Sequence, residues 1–205
     1  PYAGMGQVRL RISARAANEA EANKLIEPIA QEIKQIAGEN YFGSDEDTLA
    51  SVVGQLLVAK DQTLAVAESC TGGGLGQMLT DIPGSSSYFM GGIISYANRV
   101  KIDLLGVNQE DLAAEGAVSK TVACQMAVGV KARLGTDWGV SITGVAGPGG
   151  GTETKPVGLV YIGIALPNGE VEGIKYQLGS QQERELIRQM SAAQSLDLLR
   201  RRLSG

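Results

Sequence analysis

The stretch LAVAESCTGGG, Leu64–Gly74, constrains this chain more than any other. Four apolar residues run into a carboxylate, a hydroxyl and a thiol, and three consecutive glycines follow. The apolar run reads as a strand over Thr63–Glu68, and a helix is expected over Gly74–Thr80. Ser69 then stands where a strand turns into a helix, the position of a candidate nucleophile.

The pattern on either side extends this reading. Gly92–Tyr96 is expected to be a second strand. Asn98 is expected to cap a short helix that stops at Gly106, and Asn108–Glu115 forms another helical turn. Ser119 caps a helix whose Val122, Met126 and Val130 share one side. WGVSITG is a strand, and VAGPGGGTETKP a long glycine loop. Val157–Ala165 and Val171–Leu178 are strands joined by PNG, a hairpin signal. Gln181–Leu203 carries a helical stripe of Leu186, Met190, Ala193, Leu196, Leu199 and Leu203. Alternating helices and strands with a late hairpin imply an α/β chain whose sheet is mostly parallel with an antiparallel member.

The N-terminal piece is smaller. Val8, Leu10 and Ile12 alternate in QVRLRIS, Gln7–Ser13, as a strand does. Leu25, Ile26, Ile29, Ile33 and Ile36 lie on one face of a helix over Asn18–Ala37, which Pro28 is expected to kink. A β-α fragment of this size folds poorly alone. ENYFGSDED reads as a linker, and a helix over Thr48–Ala59 opens the larger unit.

Composition narrows the chemistry. The 205 residues include no histidine and only two cysteines, Cys70 and Cys124. Ser-His-Asp and Cys-His pairs are therefore excluded, and a zinc site lacks ligands, so no metal is expected. Net charge is -4 and 4% of residues are aromatic, which disfavours nucleic acid and anionic membranes as partners. No apolar run is long enough to span a membrane and no signal peptide is visible, so a cytoplasmic location is expected. The chain opens at Pro1 without Met, which reads as a piece of a longer protein or a processed or renumbered one.

Without imidazole, the base for Ser69 must be a lysine of lowered pKa, a carboxylate of raised pKa, or a terminal amine. SYANRVK places Tyr96 at a strand end and Lys101 five residues on. A lysine at its reference pKa is neutral about once in two thousand molecules at pH 7. Desolvation, or a neighbouring cation such as Arg99, must lower it. Tyr96 can relay a proton because its hydroxyl both donates and accepts. Backbone N–H groups around Thr71, Gly72 and Gly73 can hold an oxyanion. Should Lys101 not be the base, Glu68 is the first carboxylate to consider.

Plainer readings stand beside these. Ser69 alone can be an N-cap, Tyr96 an edge-of-core aromatic, Lys101 a solvated helix residue, and Cys70 a buried small hydrophobe. Gly147–Gly151 can be a simple connection, and Arg200–Arg202 a solvated helix end. A short-chain dehydrogenase also pairs glycines with Ser, Tyr and Lys. Its Tyr and Lys lie four apart on one helix, however, and Met78 stands where its last glycine belongs. Neither a phosphate loop nor a penicillin-binding pattern is present.

AESCTGGGLGQMLTDIPGSSSYFMGGIISYANRVKIDLLGV, EGAVS and SITGVAGPGGGTETKPVG together resemble the C-terminal domain of the competence-damage-inducible CinA family, over about residues 48–203. The resemblance implies a three-layer α/β/α sandwich with a mixed sheet over 43–205. Residues 1–42 resemble the tail of the small KH-like domain that precedes it; GMGQ is not an RNA-clamping loop. The family's stand-alone members are nicotinamide-nucleotide amidases, converting nicotinamide mononucleotide to nicotinate mononucleotide and ammonia for pyridine nucleotide salvage. Its catalytic residues fall on Ser69, Tyr96 and Lys101. Thr71, Gly72, Gly73, Ser85, Ser86, Thr143, Gly144 and Arg184 are the expected substrate and oxyanion contacts. Arg184 is the match in GSQQER for a Gly-Asp-Arg that the family often carries. No cofactor is implied; the expected partners are a small-molecule nucleotide and a second copy of the chain, as a dimer. The alternative function is an inactive nucleotide-binding or regulatory module of a longer CinA protein.

Overall fold

The computed structural model describes residues 2–4 and 7–205. The chain forms two compact units, Pro1–Thr48 and Leu49–Gly205. Among the described residues no helix is long and apolar enough to cross a membrane.

In the first unit β1 (Tyr2–Gly4) pairs antiparallel with β2 (Gln7–Arg9). The strand expected over Gln7–Ser13 thus ends at Arg9, and Val8 and Leu10 are exposed. Met5 and Gly6 of GMGQ lie outside the described residues. The helix α1 (Glu19–Ala37) starts where Asn18 accepts the Glu21 N–H at 3.0 Å, and contains Pro28. None of its residues is buried, so the apolar stripe of Leu25, Ile29 and Ile36 faces solvent.

The second unit is built around β3 (Leu64–Glu68), which is buried along its whole length. It lies between β4 (Phe89–Ile94) and β5 (Trp138–Gly144), both parallel to it. The chain then adds β6 (Leu159–Ala165) and β7 (Val171–Gln177), antiparallel in turn, giving the order β4-β3-β5-β6-β7. Only β6 runs against the rest, as the alternation and the PNG hairpin imply. A strand flanked on both sides and covered on both faces needs a continuous apolar run, which Leu64–Ala67 supplies.

Helices cover both faces. The α6 helix (Lys120–Leu134) crosses one, with α4 (Asn98–Leu105) and α5 (Gln109–Glu115) beside it. The other face carries α2 (Leu49–Ala59), α3 (Gly74–Thr80) and α7 (Arg184–Ser204). Val122, Met126 and Val130 of α6 pack on Ala65 and Ala67 of β3, with Leu105 and Val107 closing the cluster. The close approach of α6 requires glycine in the sheet. A Cβ on Gly163 would lie 2.3 Å from the Ala123 carbonyl oxygen, well inside contact distance.

Several local expectations change. β4 begins at Phe89 rather than Gly92 and ends at Ile94, leaving Tyr96 two residues beyond it. The Gly91–Gly92 pair dilutes the apolar signal, although the strand already pairs at Leu64 with Phe89 and, after a register shift between Leu64 and Ala65, continues from Ala65 with Gly91. Asn98 is the first helical residue of α4, and Ala97, with no capping side chain, holds the cap position. Arg200 is buried, not solvated, with its guanidinium 2.7 Å from Asp197. Leu196, Leu199 and Leu203 keep α7 in the core to its end. Ile187, outside the expected stripe, is fully buried as well.

Candidate active site

Successive residues of a strand project to opposite faces. Where β3 ends, Glu68 therefore serves one helical layer and Ser69 the other. The Glu68 carboxylate turns to the start of α3, and the Ser69 hydroxyl to Lys101 on α4. Between them and α3 lies a tight turn in which Gly72 (φ 60°) and Gly73 (φ 100°) take left-handed backbone conformations. Side chains with a Cβ resist that region, which is why the sequence carries glycines there.

Lys101 is 1% exposed and heads the large, fully buried side chains. Its Nζ donates to Ser69 Oγ at 3.1 Å, to the Ser95 carbonyl at 2.5 Å and to the Tyr96 carbonyl at 3.3 Å. Burial pushes its pKa down to about 8, against a small opposing effect of Cys70. At that value about one molecule in ten carries a neutral amine at pH 7. Arg99, the cation suggested by sequence, is largely exposed and paired with Asp103 at 3.0 Å. Desolvation lowers the lysine pKa here. Cys70 is the opposite case: buried beside Ser69, its thiol is pushed up to about 11, chiefly by desolvation. That suits a packing residue and not a nucleophile.

Tyr96 is 62% exposed, and its hydroxyl accepts from Arg184 Nη2 at 3.2 Å. Arg184 Nη1 also donates to the Gly147 carbonyl at 2.7 Å, so it joins the β4–α4 connection to the glycine loop. One turn along α7, Arg188 donates to the Thr71 carbonyl at 2.7 Å. No sequence motif points to Arg188, although its i,i+4 spacing from Arg184 places both on one helical side.

The donors around Ser69 are not distributed as the sequence suggests. The Gly72 N–H closes on the Ser69 carbonyl at 3.1 Å, and the Gly73 N–H on Glu68 at 3.0 Å. The N–H groups of Cys70 and Thr71 bond to no backbone carbonyl among the described residues, and that of Cys70 faces only its own thiol. The Thr71 hydroxyl is buried and without a partner among the described residues. Thr143 donates its hydroxyl proton to the Ala117 carbonyl at 2.7 Å. Gly144 ends β5 and packs on β6, where an added Cβ would meet the Leu159 carbonyl at 2.8 Å.

Ser85 and Ser86 lie elsewhere. They form a short turn of 3-10 helix just before β4, and the Leu64 N–H binds the neighbouring Tyr88 carbonyl at 2.7 Å. That is the opening end of β3, whereas Ser69 follows its closing end. A parallel crossover must carry the chain back to the first edge, so these serines cannot line a site around Ser69 in the same chain. Among the described residues, no group of three or more His, Cys, Asp or Glu is placed to hold a metal ion.

Comparisons with known proteins agree with this architecture. The family model "CinA C-terminal domain" matches residues 46–203, and "Damage-inducible protein CinA KH domain" matches residues 1–43. A CinA-like protein of Gloeothece citriformis is 64% identical over 203 residues, covering 99% of this chain and 49% of that protein. A CinA-like protein of Synechocystis is 63% identical over 205 residues, covering 100% and 49%. The chain thus spans about half the length of the curated relatives it matches. Among solved structures, the competence/damage inducible protein CihA of Agrobacterium tumefaciens has a TM-score of 0.71 and 35% identity, covering 80% of this chain and 100% of that one. The competence damage-inducible protein A (ComA) of Klebsiella pneumoniae has a TM-score of 0.73 and 28% identity, covering 76% and 95%. With family models matched along its length and a CinA-type α/β/α sandwich as its larger unit, the chain belongs to the CinA family.

Proposed function

We propose that the larger unit hydrolyses the carboxamide of nicotinamide mononucleotide, releasing nicotinate mononucleotide and ammonia, with Ser69 as nucleophile and Lys101 as its base. The observation that carries the chemistry is the buried Lys101 amine 3.1 Å from the Ser69 hydroxyl. The family resemblance supplies the substrate. A lysine is a useful base only when an appreciable fraction is neutral, and burial lowers the pKa of Lys101 in that direction.

Neutral Lys101 takes the Ser69 proton as Oγ attacks the carboxamide carbon, and the carbonyl electron pair moves onto oxygen. The unengaged N–H groups of Cys70 and Thr71 are the donors for that oxyanion, in place of Gly72 and Gly73. As the C–N bond breaks, the proton taken up by Lys101 passes to the departing nitrogen, with the Tyr96 hydroxyl as its relay, and ammonia leaves. Arg184 donates to the Tyr96 oxygen, so the phenolic proton stays free for this transfer. Water then attacks the acyl ester, Lys101 takes its proton, and Ser69 regains its own as the acid departs. Written this way, the reaction consumes one water and uses no metal or redox group.

The test is ammonia release from nicotinamide mononucleotide by the purified chain, with Ser69→Ala as control. Release that disappears in the control supports the proposal. Tight nucleotide binding without release would leave a nucleotide-binding module of a longer protein as the better reading.

A further inference from the structure

We infer that Glu68 is a positioning residue, which holds the turn after Ser69 so that the N–H groups of Cys70 and Thr71 stay free for the reacting oxygen. The inference rests on the reading of Ser69 as nucleophile.

Glu68 is an acid in the fully buried strand β3, 2% exposed. A buried carboxylate normally takes a cation, yet no ion pair involves Glu68 among the described residues. Its oxygens instead accept three backbone N–H groups: Gly73 at 3.0 Å, Leu75 at 3.1 Å and Gly76 at 2.8 Å. These are the otherwise unpaired donors at the start of α3. With its lone pairs so occupied, and its side chain on the sheet face away from Lys101, Glu68 is not placed to take the serine proton.

The consequence lies in the turn. Glu68 draws the Gly73 N–H inward, and the Ser69 carbonyl draws that of Gly72. Arg188 holds the Thr71 carbonyl from the α7 side. Two N–H groups are thereby engaged and two, those of Cys70 and Thr71, are left over. Rotating the turn to free Gly73 would break a charge-assisted bond to a buried carboxylate. Glu68 thus fixes which donors face outward without touching the substrate.

The test uses the whole chain and two readouts. One is deamidation of the nucleotide. The other is labelling of Ser69 by a fluorophosphonate, in which an O–P bond forms, the P–F bond breaks, fluoride leaves and the serine proton passes to Lys101. Glu68→Gln keeps the size but places an NH2 against backbone donors. It should lower kcat by about 10- to 100-fold and slow labelling by a similar factor. KM should stay within about threefold, and the pH at which activity levels should not move, because Lys101 is untouched. Glu68→Asp keeps the charge but is too short to hold all three donors, and should fall between.

Normal kcat and normal labelling in a folded Glu68→Gln chain would overturn the inference. A displaced pH profile would do so too, because Glu68 would then act as a base. Should Glu68→Gln not fold, amide exchange in the native chain decides. Gly73, Leu75 and Gly76 should exchange slowly. Cys70 and Thr71 should exchange fast and become protected once Ser69 is labelled; no gain there overturns the inference. A native chain that labels without deamidating sinks the substrate reading alone. One that does neither sinks the nucleophile and this inference together.

Discussion

The two edges of the parallel strands β4, β3 and β5 are made of similar residues and do opposite things. At the opening edge, polar groups are paired with one another. Asp137 accepts the N–H and hydroxyl of Thr63, both at 2.8 Å, and the Trp138 indole donates to Gln62 at 2.8 Å. The Trp138 N–H binds the Thr63 carbonyl at 2.9 Å. At the closing edge, donors remain over: the N–H groups of Cys70 and Thr71 and the Thr71 hydroxyl, beside a buried lysine on a serine. Hydrogen bonds completed within the fold stabilise it and leave nothing for a ligand. Ligands of open α/β sheets bind beyond the carboxyl ends of the strands, and the unpaired groups lie at that edge here.

The largest expected effects set one edge against the other. Ser69→Ala and Lys101→Met should each lower kcat/KM for deamidation at least about a thousandfold, since members of one catalytic unit fail together. Lys101→Arg should not rescue, because a guanidinium does not give up its proton. Cys70→Ala should keep most of the activity. The pair Ser85→Ala, Ser86→Ala, at the opening edge, should leave kcat/KM unchanged. Steady-state assays of folded variants decide. Near-normal turnover by Lys101→Arg would end the Ser–Lys mechanism, and a large loss in the serine pair would end the comparison of edges.

Next in size is the pH response of the buried lysine. Its pKa is lowered to about 8, so kcat/KM should rise about tenfold for each pH unit below that value and level above it. Stability carries the same signature. Between about pH 8 and the unfolded value near 10.5, the unfolded chain holds a proton that the folded chain has released. Raising the pH through that window therefore makes the lysine's own contribution favour the fold, while Cys70, its thiol pushed up to about 11, acts against the fold above about pH 9. Urea titrations across pH 7 to 11 should show the stability of the native chain relative to Lys101→Met rising between about pH 8 and 10.5, the thiol's contribution being common to both.

How much of this could be read from the sequence follows the same division. Ser69 and Lys101 were legible because local pattern places both: an apolar run before glycines, and a lysine in a short helix after a strand. The missing histidine left few bases to choose from. The trio's third member was legible as a residue but not in its contacts, because Arg184 reaches Tyr96 across 88 residues of sequence. Ser85 and Ser86 offer hydroxyl donors for a phosphate by residue type alone, and residue type does not show that a parallel crossover puts them at the other end of the strands from Ser69. Glu68 was read as a spare base because nothing local says that its carboxylate turns toward α3. Gly163 gave no signal, since its need comes from the Ala123 carbonyl on another element.

A smaller effect tests the opening edge as scaffold. Asp137 holds two donors from Thr63, and those hydrogen bonds keep its carboxyl below the usual range. Asp137→Ala should cost about 1–3 kcal/mol of stability, with kcat/KM unchanged in the folded protein. The contribution is present above the ordinary carboxylate pKa and is lost as pH falls through the lowered one. Chemical denaturation at pH 7 and at acid pH should therefore find the difference between native and Asp137→Ala shrinking in acid. An activity loss without a stability loss would mean that this edge also takes part in the chemistry.

The smallest effect is the most discriminating, because among the described residues each edge has one buried hydroxyl without a partner: Thr71 at the closing edge and Tyr88 at the opening one. The Tyr88 hydroxyl lies against Gly54, where an added Cβ would come within 2.6 Å of it. No protein group among the described residues offers it an acceptor, so the phenol's desolvation is not offset by a hydrogen bond within the fold. Tyr88→Phe should leave stability unchanged or raise it by about 1 kcal/mol, with activity unaffected. Thr71→Val likewise removes an unpaired hydroxyl at nearly constant volume, and should not destabilise the empty chain. If its missing partner is the bound substrate, however, kcat/KM should fall about tenfold, the size of one hydrogen bond. Thermal melts and kinetics on the two variants give the answer side by side. Equal kinetic behaviour would mean that both hydroxyls are packing defects, and that the closing edge is less specialised than its free donors imply.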